Sequence, residues 1–478
     1  MSDNNKYNLT MLLPKTDFGM RGKLPTEEVK MMAFWNDIEL WKKLREQSKD
    51  KKKFILHDGP PYANGPIHIG TAANKILKDI INRTMQFEGY NSLYVPGWDC
   101  HGLPIEWQIE KQYRKKGKKK EDIDIKDFRN ECREFAQKWI EEQKKSFIRL
   151  FVLADWNKPY TTMAYESEAI ILKEFSKFFL NGSLYQGSKP VMWSPIEKTA
   201  LAEAEIEYHD IDSTSIYVAF KVKNSPNKLL ENTSIIIWTT TPWTIPGNKA
   251  IAFGDSIDYC IFKVQESKNN FIKDNKYLVA KSLLEEVCDR CNISKFELIK
   301  EIKGEELGNT ICHHPFSKIG FDYDVPLLKA EFVEDSEGTG FVHIAPCYGE
   351  DDYYLALDNN IVIKDIVKDD GCYRDNTPVF AGIHVFKAHL SVIEELEKQN
   401  KLLGSREYRH SYPHSWRSKK PIIYRTTPQW FISMKTNNLK DTAMQGIEDT
   451  KWIPKSSKNR IQSMVENRPD WCVSRQRS

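Results

Sequence analysis

The chain has 478 residues, of which 40% are hydrophobic and 12% aromatic, a composition that excludes a mainly disordered protein. Its length predicts about three folded units. The net charge of +3 gives no global positive field that would indicate nucleic acid, and no apolar run reaches the roughly 18 residues of a membrane span.

Nine cysteines are scattered along the chain without a disulfide-like spacing. An odd number of unpaired cysteines is typical of a reducing compartment. We therefore expect a soluble cytoplasmic protein with no membrane partner.

The first predicted elements are a strand at residues 54–56, a loop rich in proline and glycine, and a helix from Thr71. The apolar run of the strand cannot continue through the prolines that follow it. In the helix, apolar residues recur at three- and four-residue spacings and polar residues take the other face, as in an amphipathic helix. The apolar set is Ile76, Leu77, Ile80, Ile81 and Met85, and the polar set is Lys75, Lys78 and Asp79.

The run His68-Ile-Gly-Thr71 stands where this loop enters the helix. The start of a helix presents unpaired backbone N–H groups and a positive dipole end, which suit a nucleotide phosphate. The His68 imidazole and the Thr71 hydroxyl can donate hydrogen bonds, and Gly70 permits close approach to the backbone. The alternative is a proline-rich turn with a surface histidine.

The chain divides into three segments by its patterning. Residues 1–200 alternate short apolar runs with helical patterns, for instance at 128–151 and 166–180, which predicts a parallel α/β sheet. Residues 201–405 form a β-rich insert, and residues 406–478 return to the first domain. Strands of the insert are predicted at 215–222, 234–238, 249–253, 259–264, 277–280 and 341–344.

Two further clusters have open alternatives. The lysines at 51–53 and 115–120 are either solvated loops or contacts to a phosphate backbone. Cys288 and Cys291, with Cys312, His313 and His314, could hold zinc, but Cys291 also fits an apolar helix face with Leu283, Leu284 and Val287. We favour buried cysteines and expect no metal site within this chain.

Motifs along essentially the whole chain resemble the isoleucine branch of the class I aminoacyl-tRNA synthetases. They are Gly19-Met-Arg-Gly-Lys-Leu-Pro25, Asp58-Gly-Pro-Pro-Tyr-Ala-Asn-Gly65, Pro96-Gly-Trp-Asp-Cys-His-Gly-Leu-Pro-Ile-Glu106, Ala200-Leu-Ala-Glu-Ala-Glu-Ile-Glu207, Trp238-Thr-Thr-Thr-Pro-Trp-Thr244 and Trp471-Cys-Val-Ser-Arg-Gln-Arg477. The resemblance implies a Rossmann-like catalytic domain interrupted by an editing domain. It also implies ATP with Mg²⁺, L-isoleucine and tRNA(Ile) as substrates, and we expect a monomer.

The resemblance assigns roles to residues of the first segment. It implies that His68 and the Gly70 backbone bind ATP, that Pro60 lines the side-chain pocket, and that Asp99 holds the substrate ammonium group. Asp99 alone could equally be a loop cap. Thr71 stands where the family has a second histidine. Since a hydroxyl still donates but carries no charge, we expect activity with altered ATP contacts.

The resemblance also implies an editing pocket made by Thr239, Thr240 and Thr241 with His343 and Asp352 opposite. There Asp352 would anchor the ammonium of a misattached residue, and the hydroxyls and His343 would orient a water and the terminal ribose. Without the family, threonines after a strand are ordinarily only β-formers. Tyr348 stands where relatives often have a histidine, which weakens any detailed transfer for that loop.

The lysine-rich run Lys455-Ser-Ser-Lys-Asn459 resembles the second ATP signature of the family, but it precedes the Arg-Gln-Arg stretch that the genuine signature should follow. We therefore reject it and expect an amino-terminal fragment without that signature and without the anticodon-binding region. The leading hypothesis is an isoleucine–tRNA ligase with editing. The alternatives are a fragment competent only as a deacylase, and a non-catalytic module that binds tRNA or nucleotide.

Overall fold

The computed structural model describes residues 10–12 and 22–478, and it separates into two compact units. The first unit comprises the residues up to Lys173 together with Ser478, and the second comprises Glu174–Arg477. The start of the Gly19-to-Pro25 motif lies outside the described residues. No helix in the described ranges has the length and apolar character needed to cross a membrane.

The first unit is mainly helical, with short parallel strand pairs between the helices. Its helices are α1 Leu24–Asp37, α2 Leu40–Ser48, α3 Ile69–Phe87, α4 Leu103–Lys115, α5 Ile125–Arg149 and α6 Tyr165–Leu180, the last of which contains the boundary between the units. Its strands are β1 Lys53–Phe54, β2 Asn91–Ser92, β3 Gly97–Trp98 and β4 Tyr160–Thr161. β1 pairs with β2 and β3 with β4, both in parallel.

The parallel pairing agrees with the predicted α/β class, and the helices predicted at 128–151 and 166–180 are confirmed as α5 and α6. The strand predicted at 54–56 is shorter than expected. It ends at Phe54, and Ile55 is 78% exposed. The strand is short because its pairing with β2 includes only two residues of each strand.

Helix α3 packs with its polar face inward, the reverse of the usual amphipathic helix. Its buried residues are Ala72, Lys75, Asp79 and Asn82. Its exposed side chains include Ile76, Leu77, Ile80 and Ile81. Each buried polar group has a partner: Lys75 pairs with Asp58, Asp79 accepts from Arg83 and from the Leu153 N–H, and Asn82 accepts from Ser92. Paired polar groups can be buried without loss of stability, so periodicity alone misassigns this face.

The second unit is built on long strands. They are β5 Leu184–Ser194, β6 Thr199–Ala200, β7 Ile206–Asn224, β8 Thr233–Thr239, β9 Ala250–Phe253, β10 Asp258–Ser267, β11 Lys276–Ala280, β12 Ile293–Lys303, β13 Ile311–His313, β14 Asp324–Lys329, β15 Phe341–Ile344, β16 Leu402–Ser415, β17 Ile423–Ile432 and β18 Trp471–Cys472. Its helices are α7 Leu284–Arg290, α8 Glu350–Asp358, α9 Val385–Lys398, α10 Leu439–Asp449 and α11 Ser457–Glu466.

These strands form a ten-stranded mixed sheet and a four-stranded sheet. The larger has the order β12-β10-β11-β8-β7-β13-β14-β9-β15, with β16 also paired to β7, and the smaller has the order β18-β17-β5-β6. All six strands predicted in the insert are confirmed, with β9 starting one residue later than expected. Their side chains build the main apolar core, in which Ile216, Phe220 and Ile237 are fully buried.

The pairing of β7 with β16 joins the two ends of the β-rich segment. The antiparallel register runs from Ile206 opposite Ser415 to Val218 opposite Leu402. The chain therefore enters and leaves the β-rich segment through neighbouring strands, as an inserted domain requires.

Gly304, after β12, provides a test of this packing. A methyl group there would overlap the Gly254 carbonyl oxygen and lie 2.7 Å from Asp255 Cα, both backbone atoms that cannot rotate away. We expect Gly304→Ala to lower the free energy of unfolding by about 1–3 kcal/mol or more. Urea denaturation followed by tryptophan fluorescence measures the change.

The matched control is Gly308→Ala, where a methyl group would meet nothing within 4 Å. Its effect should stay within about 0.5–1 kcal/mol of the parent protein. Equal effects of the two substitutions would contradict the packing described for Gly304.

Candidate functional site

His68 is the N-cap residue of α3. Its Nδ1 atom accepts hydrogen bonds from the backbone N–H groups of Gly70 at 3.1 Å and Thr71 at 3.3 Å. The expectation of unpaired N–H groups at this helix start is therefore wrong for these two residues. An accepting Nδ1 in a neutral imidazole leaves the proton on Nε2, so the exposed ring can donate outward to a ligand.

Pro60 and Asp99 lie on two loops of the first unit that are bonded to each other. The Asp99 N–H donates to the Pro61 carbonyl and the Ala63 N–H donates to the Asp99 carbonyl, each at 2.9 Å. A methyl group on Gly97 would lie 3.4 Å from Pro60 Cβ. The two predicted substrate-binding residues therefore belong to one backbone arrangement.

The Asp99 carboxylate also has local partners. Its Oδ1 atom accepts from the His101 N–H at 3.4 Å and from the Thr162 hydroxyl at 3.5 Å. The first contact is the loop cap that the sequence left open as an alternative. Both contacts are long, and they hold the carboxylate in place beside the Pro60 loop.

The five predicted editing residues line one cavity of about 420 Å³ in the second unit. Thr239 ends β8, and Thr240 and Thr241 follow it. His343 lies in β15, and Asp352 lies in the first turn of α8. The sequence motifs are separated by about a hundred residues, and the sheet brings them to the same cavity.

The threonine hydroxyls form a local network. The Thr241 N–H donates to Thr239 Oγ1 at 3.1 Å, and the two hydroxyl oxygens are 3.2 Å apart. Thr244, which was not predicted, donates its hydroxyl to the Thr241 carbonyl at 2.8 Å. The sequence signal that could have identified Thr244 is its position three residues after Thr241, a spacing that brings two residues together in a short helical turn.

His343 is held at both ring nitrogens. Asn248 Nδ2 lies 2.7 Å from His343 Nδ1 and also donates to the Ala250 carbonyl at 2.9 Å. The bond to Ala250 identifies this atom as the amide nitrogen, so Nδ1 accepts and Nε2 carries the proton. Nε2 then donates to Thr244 Oγ1 at 3.0 Å. Full burial lowers the pKa of His343 to about 3, so the ring remains neutral and orients Thr244.

Asp352 contributes a half-buried carboxylate to the cavity. Its Oδ2 atom accepts from the Ala345 N–H at 2.7 Å, just beyond the end of β15. Burial raises the pKa of Asp352 to about 6. Glu334 and Glu337 also line the cavity, and its described lining contains no lysine or arginine. The electrostatics therefore favour an ammonium group over a phosphate.

Tyr348 forms a wall of the same cavity. Its ring packs edge-on against Trp243 at 5.0 Å between centroids, and its hydroxyl donates to Asp365 Oδ1 at 3.2 Å. A methyl group at Gly247 would lie 2.7 Å from this ring. The residue that departs from the family pattern is thus fixed in place by packing on one face and a hydrogen bond at its tip.

The cysteine and histidine cluster considered for zinc lies in the core. Cys288 in α7 and Cys291 just after that helix are buried, and burial raises the pKa of the Cys288 thiol to about 12. His314 accepts from the Phe316 N–H at 3.1 Å and bonds the Ile245 carbonyl at 3.0 Å. Across residues 22–478 no three His, Cys, Asp or Glu side chains are placed to hold a metal ion.

The rejected lysine-rich run leads into α11. Lys458 lies in the first turn of that helix and forms an ion pair with Glu448 at 2.6 Å. The pair connects α11 to α10. In this structure Lys458 therefore contributes to helix packing through its ion pair.

Residues 30–478 match the family model described as tRNA synthetases class I (I, L, M and V). The isoleucine–tRNA ligase of Pelagibacter ubique (strain HTCC1062) is 54% identical over 97% of this chain and 51% of the relative. That of Gluconobacter oxydans (strain 621H) is 47% identical over 99% of this chain and 51% of the relative. The chain thus spans about half the length of the curated relatives it matches.

Among solved structures, the ternary complex of Agrobacterium radiobacter K84 agnB2 LeuRS with tRNA and LeuAMS aligns with 86% of this chain and 50% of that chain. The sequence identity is 17% and the TM-score 0.33, too low to support an inference. The family match instead covers most of the chain and includes the loops and the cavity described above. This protein therefore belongs to the class I tRNA synthetases (I, L, M and V).

Proposed function

We propose that this chain is the part of an isoleucine–tRNA ligase that carries the amino-acid activation residues and a hydrolytic editing site. The observation that carries the proposal is the convergence of Thr239, Thr240, Thr241, His343 and Asp352 on one cavity. The identity of 54% to an isoleucine–tRNA ligase supports the choice of isoleucine. The substrates would be L-isoleucine, ATP and tRNA(Ile), used by a cytoplasmic monomer.

The domain division proposed is 1–200 and 406–478 for the catalytic domain and 201–405 for the insert. The pairing of β7 with β16 supports it, because β7 lies at the start of the insert, β16 crosses its end, and the two strands lie side by side. The two compact units meet earlier, within α6, since β5 and β17 pair with each other and belong to the second unit.

In activation, a carboxylate oxygen of isoleucine would attack the α-phosphorus of Mg-ATP, and pyrophosphate would leave. Asp99 would pair with the isoleucine ammonium group and Pro60 would contact its side chain. His68 would donate from Nε2 to a phosphate oxygen, and Thr71 would add a hydroxyl donor at the helix start. These residues act by holding the reactants in line. Mg²⁺ would enter bound to the ATP phosphates.

In editing, a water would attack the ester carbonyl of valyl-tRNA(Ile), and the bond to the ribose oxygen would break. The departing ribose oxygen would take up the proton that the water loses and become a hydroxyl. Asp352 would hold the valine ammonium group, which matches the acidic lining of the cavity. The neutral His343, occupied at both nitrogens, would orient Thr244 and would not serve as a base.

A second site is needed because the two amino acids differ by one methylene. In a hydrophobic pocket this difference contributes only about 1–3 kcal/mol, a magnitude established for enzymes of this kind. A cavity that admits valine and hydrolyses its ester supplies the remaining discrimination.

A second candidate function is a deacylase without activation. One observation supports it: every proposed editing residue lies within one compact unit of this chain. Isoleucine-dependent ATP–pyrophosphate exchange together with hydrolysis of valyl-tRNA(Ile) would support the ligase. Hydrolysis without exchange would support the deacylase, and binding of tRNA without either reaction would leave only a binding module.

Substitution of Asp352 tests the editing proposal. Asp352→Asn keeps a hydrogen-bond acceptor for the Ala345 N–H but removes the charge that would pair with the ammonium group. We expect hydrolysis of valyl-tRNA(Ile) to fall by about 10- to 100-fold. The adjacent Asp351→Asn is the control, since Asp351 is exposed. Similar activity in both variants would exclude the proposed anchor.

The pH dependence of hydrolysis provides an independent test. Because burial raises the pKa of Asp352 to about 6, the acid loses its charge as the pH falls below that value. His343 has a pKa of about 3 and stays neutral over the same range. We expect kcat/KM, corrected for spontaneous ester hydrolysis, to decline as the pH is lowered through about 6. A profile that is flat down to pH 5 would contradict this role for Asp352.

A further inference from the structure

Asp58 is contacted by two lysines of α3 and by the first backbone N–H group of β3. Lys75 and Lys78 both pair with its carboxylate, and the Gly97 N–H donates to its Oδ2 atom at 3.2 Å. The side chains of Lys75 and Asp58 are only 1% and 5% exposed. One buried carboxylate thus connects α3 to the start of β3, the strand that leads into the Asp99 loop.

The surroundings of Lys75 isolate this pair from solvent. Its Nζ atom lies 5.6 Å from the centre of the Tyr94 ring and 5.4 Å from that of Phe147. Burial lowers the pKa of Lys75, and the charge of Asp58 opposes that effect. Apolar residues of similar volume often give equal or greater stability than a buried ion pair. The pair therefore calls for an explanation other than stability, and its geometry supplies one.

We call the contacts of Asp58 with Lys75 and with Gly97 the Asp58 bridge. Its two ends lie close in sequence to the two parts of the proposed activation site, the phosphate ligand and the ammonium ligand. Lys75 lies on the helix that begins at His68, the proposed phosphate ligand. Gly97 lies two residues before Asp99, the proposed ammonium ligand, whose backbone is bonded to Pro61 and Ala63. A change in the bridge would shift one half of the site relative to the other.

We propose that Lys75 and Asp58 form a positioning pair that sets the distance between the Asp99 loop and the start of α3. The pair touches neither substrate. It acts by presenting the ammonium and phosphate anchors at a spacing that fits a single reacting molecule. This inference rests on the proposed activation of isoleucine.

The test compares ligands that contact either Asp99 or His68 with a ligand that contacts both. The double variant Lys75→Met with Asp58→Asn removes both charges of the pair, and Lys78, whose side chain is 14% exposed, still has the Gly59 carbonyl as an acceptor at 3.5 Å. Calorimetry would measure the Kd of isoleucine, of ATP and of a non-hydrolysable isoleucyl-adenylate analogue. We expect the first two to stay within about twofold. The analogue should bind about 100-fold more weakly, the loss typical of a misplacement of about 1 Å.

The surface substitution Lys145→Met, at a lysine whose side chain is 71% exposed, is the matched control and should change none of the three values. Should the double variant fail to fold, Lys75→Arg keeps the charge but changes its geometry, and the same comparison applies. Unchanged binding of the analogue would overturn the proposal. So would an equal loss for all three ligands, which indicates a purely structural role.

The outcome for the parent chain separates this inference from the proposed function. If the parent chain binds neither isoleucine nor the analogue, the proposed activation itself fails. If it binds them and the variants behave like the parent, activation stands and only the positioning pair is wrong.

Discussion

The pairing of β7 with β16 is the constraint on which the second unit depends. It joins residues almost two hundred positions apart and continues through a long antiparallel register. β7 also pairs with β8, which ends at Thr239, and with β13, which continues the sheet through β14 and β9 to β15. The threonines and His343 are therefore placed at their cavity by one continuous hydrogen-bonded sheet. Backbone hydrogen bonds of this kind hold a site more rigidly than loop contacts could.

Within the cavity, charge and orientation are assigned to different residues. Asp352 carries a negative charge, and its partial burial raises its pKa although the Ala345 N–H opposes this. His343 carries none, because burial and two hydrogen bonds keep it neutral. In the proposed editing reaction, His343 would therefore orient the Thr244 hydroxyl. Tyr348 completes the wall without adding a charge.

The first unit uses buried polar contacts where the second uses a sheet. Its strands are only two residues long, so backbone pairing alone cannot fix the loops that contain Pro60 and Asp99. Asp58 and Asp79 supply additional links between α3 and the neighbouring loops. A consequence is that the apolar residues of α3, such as Leu77 and Ile80, lie exposed in this chain.

The sequence by itself determined the family and the strands of the β-rich segment, and it predicted five residues that line the cavity of the second unit. Strand patterning located β7 to β11 because runs of apolar residues mark strands whose side chains are buried. Similarity to the family singled out Thr239, His343 and Asp352 because they stand in or near motifs that resemble it. Neither signal reports a hydrogen-bond partner.

The tertiary structure alone decided the inward polar face of α3, the capping of Gly70 and Thr71 by His68, and the roles of Thr244 and Asn248. Each depends on a partner distant in sequence or on a ring orientation. Periodicity gives the apolar stripe of a helix, but the burial of Lys75 depends on Asp58, seventeen residues away and on another segment. The protonation of His343 likewise follows from Asn248, which only the folded sheet brings within hydrogen-bonding distance.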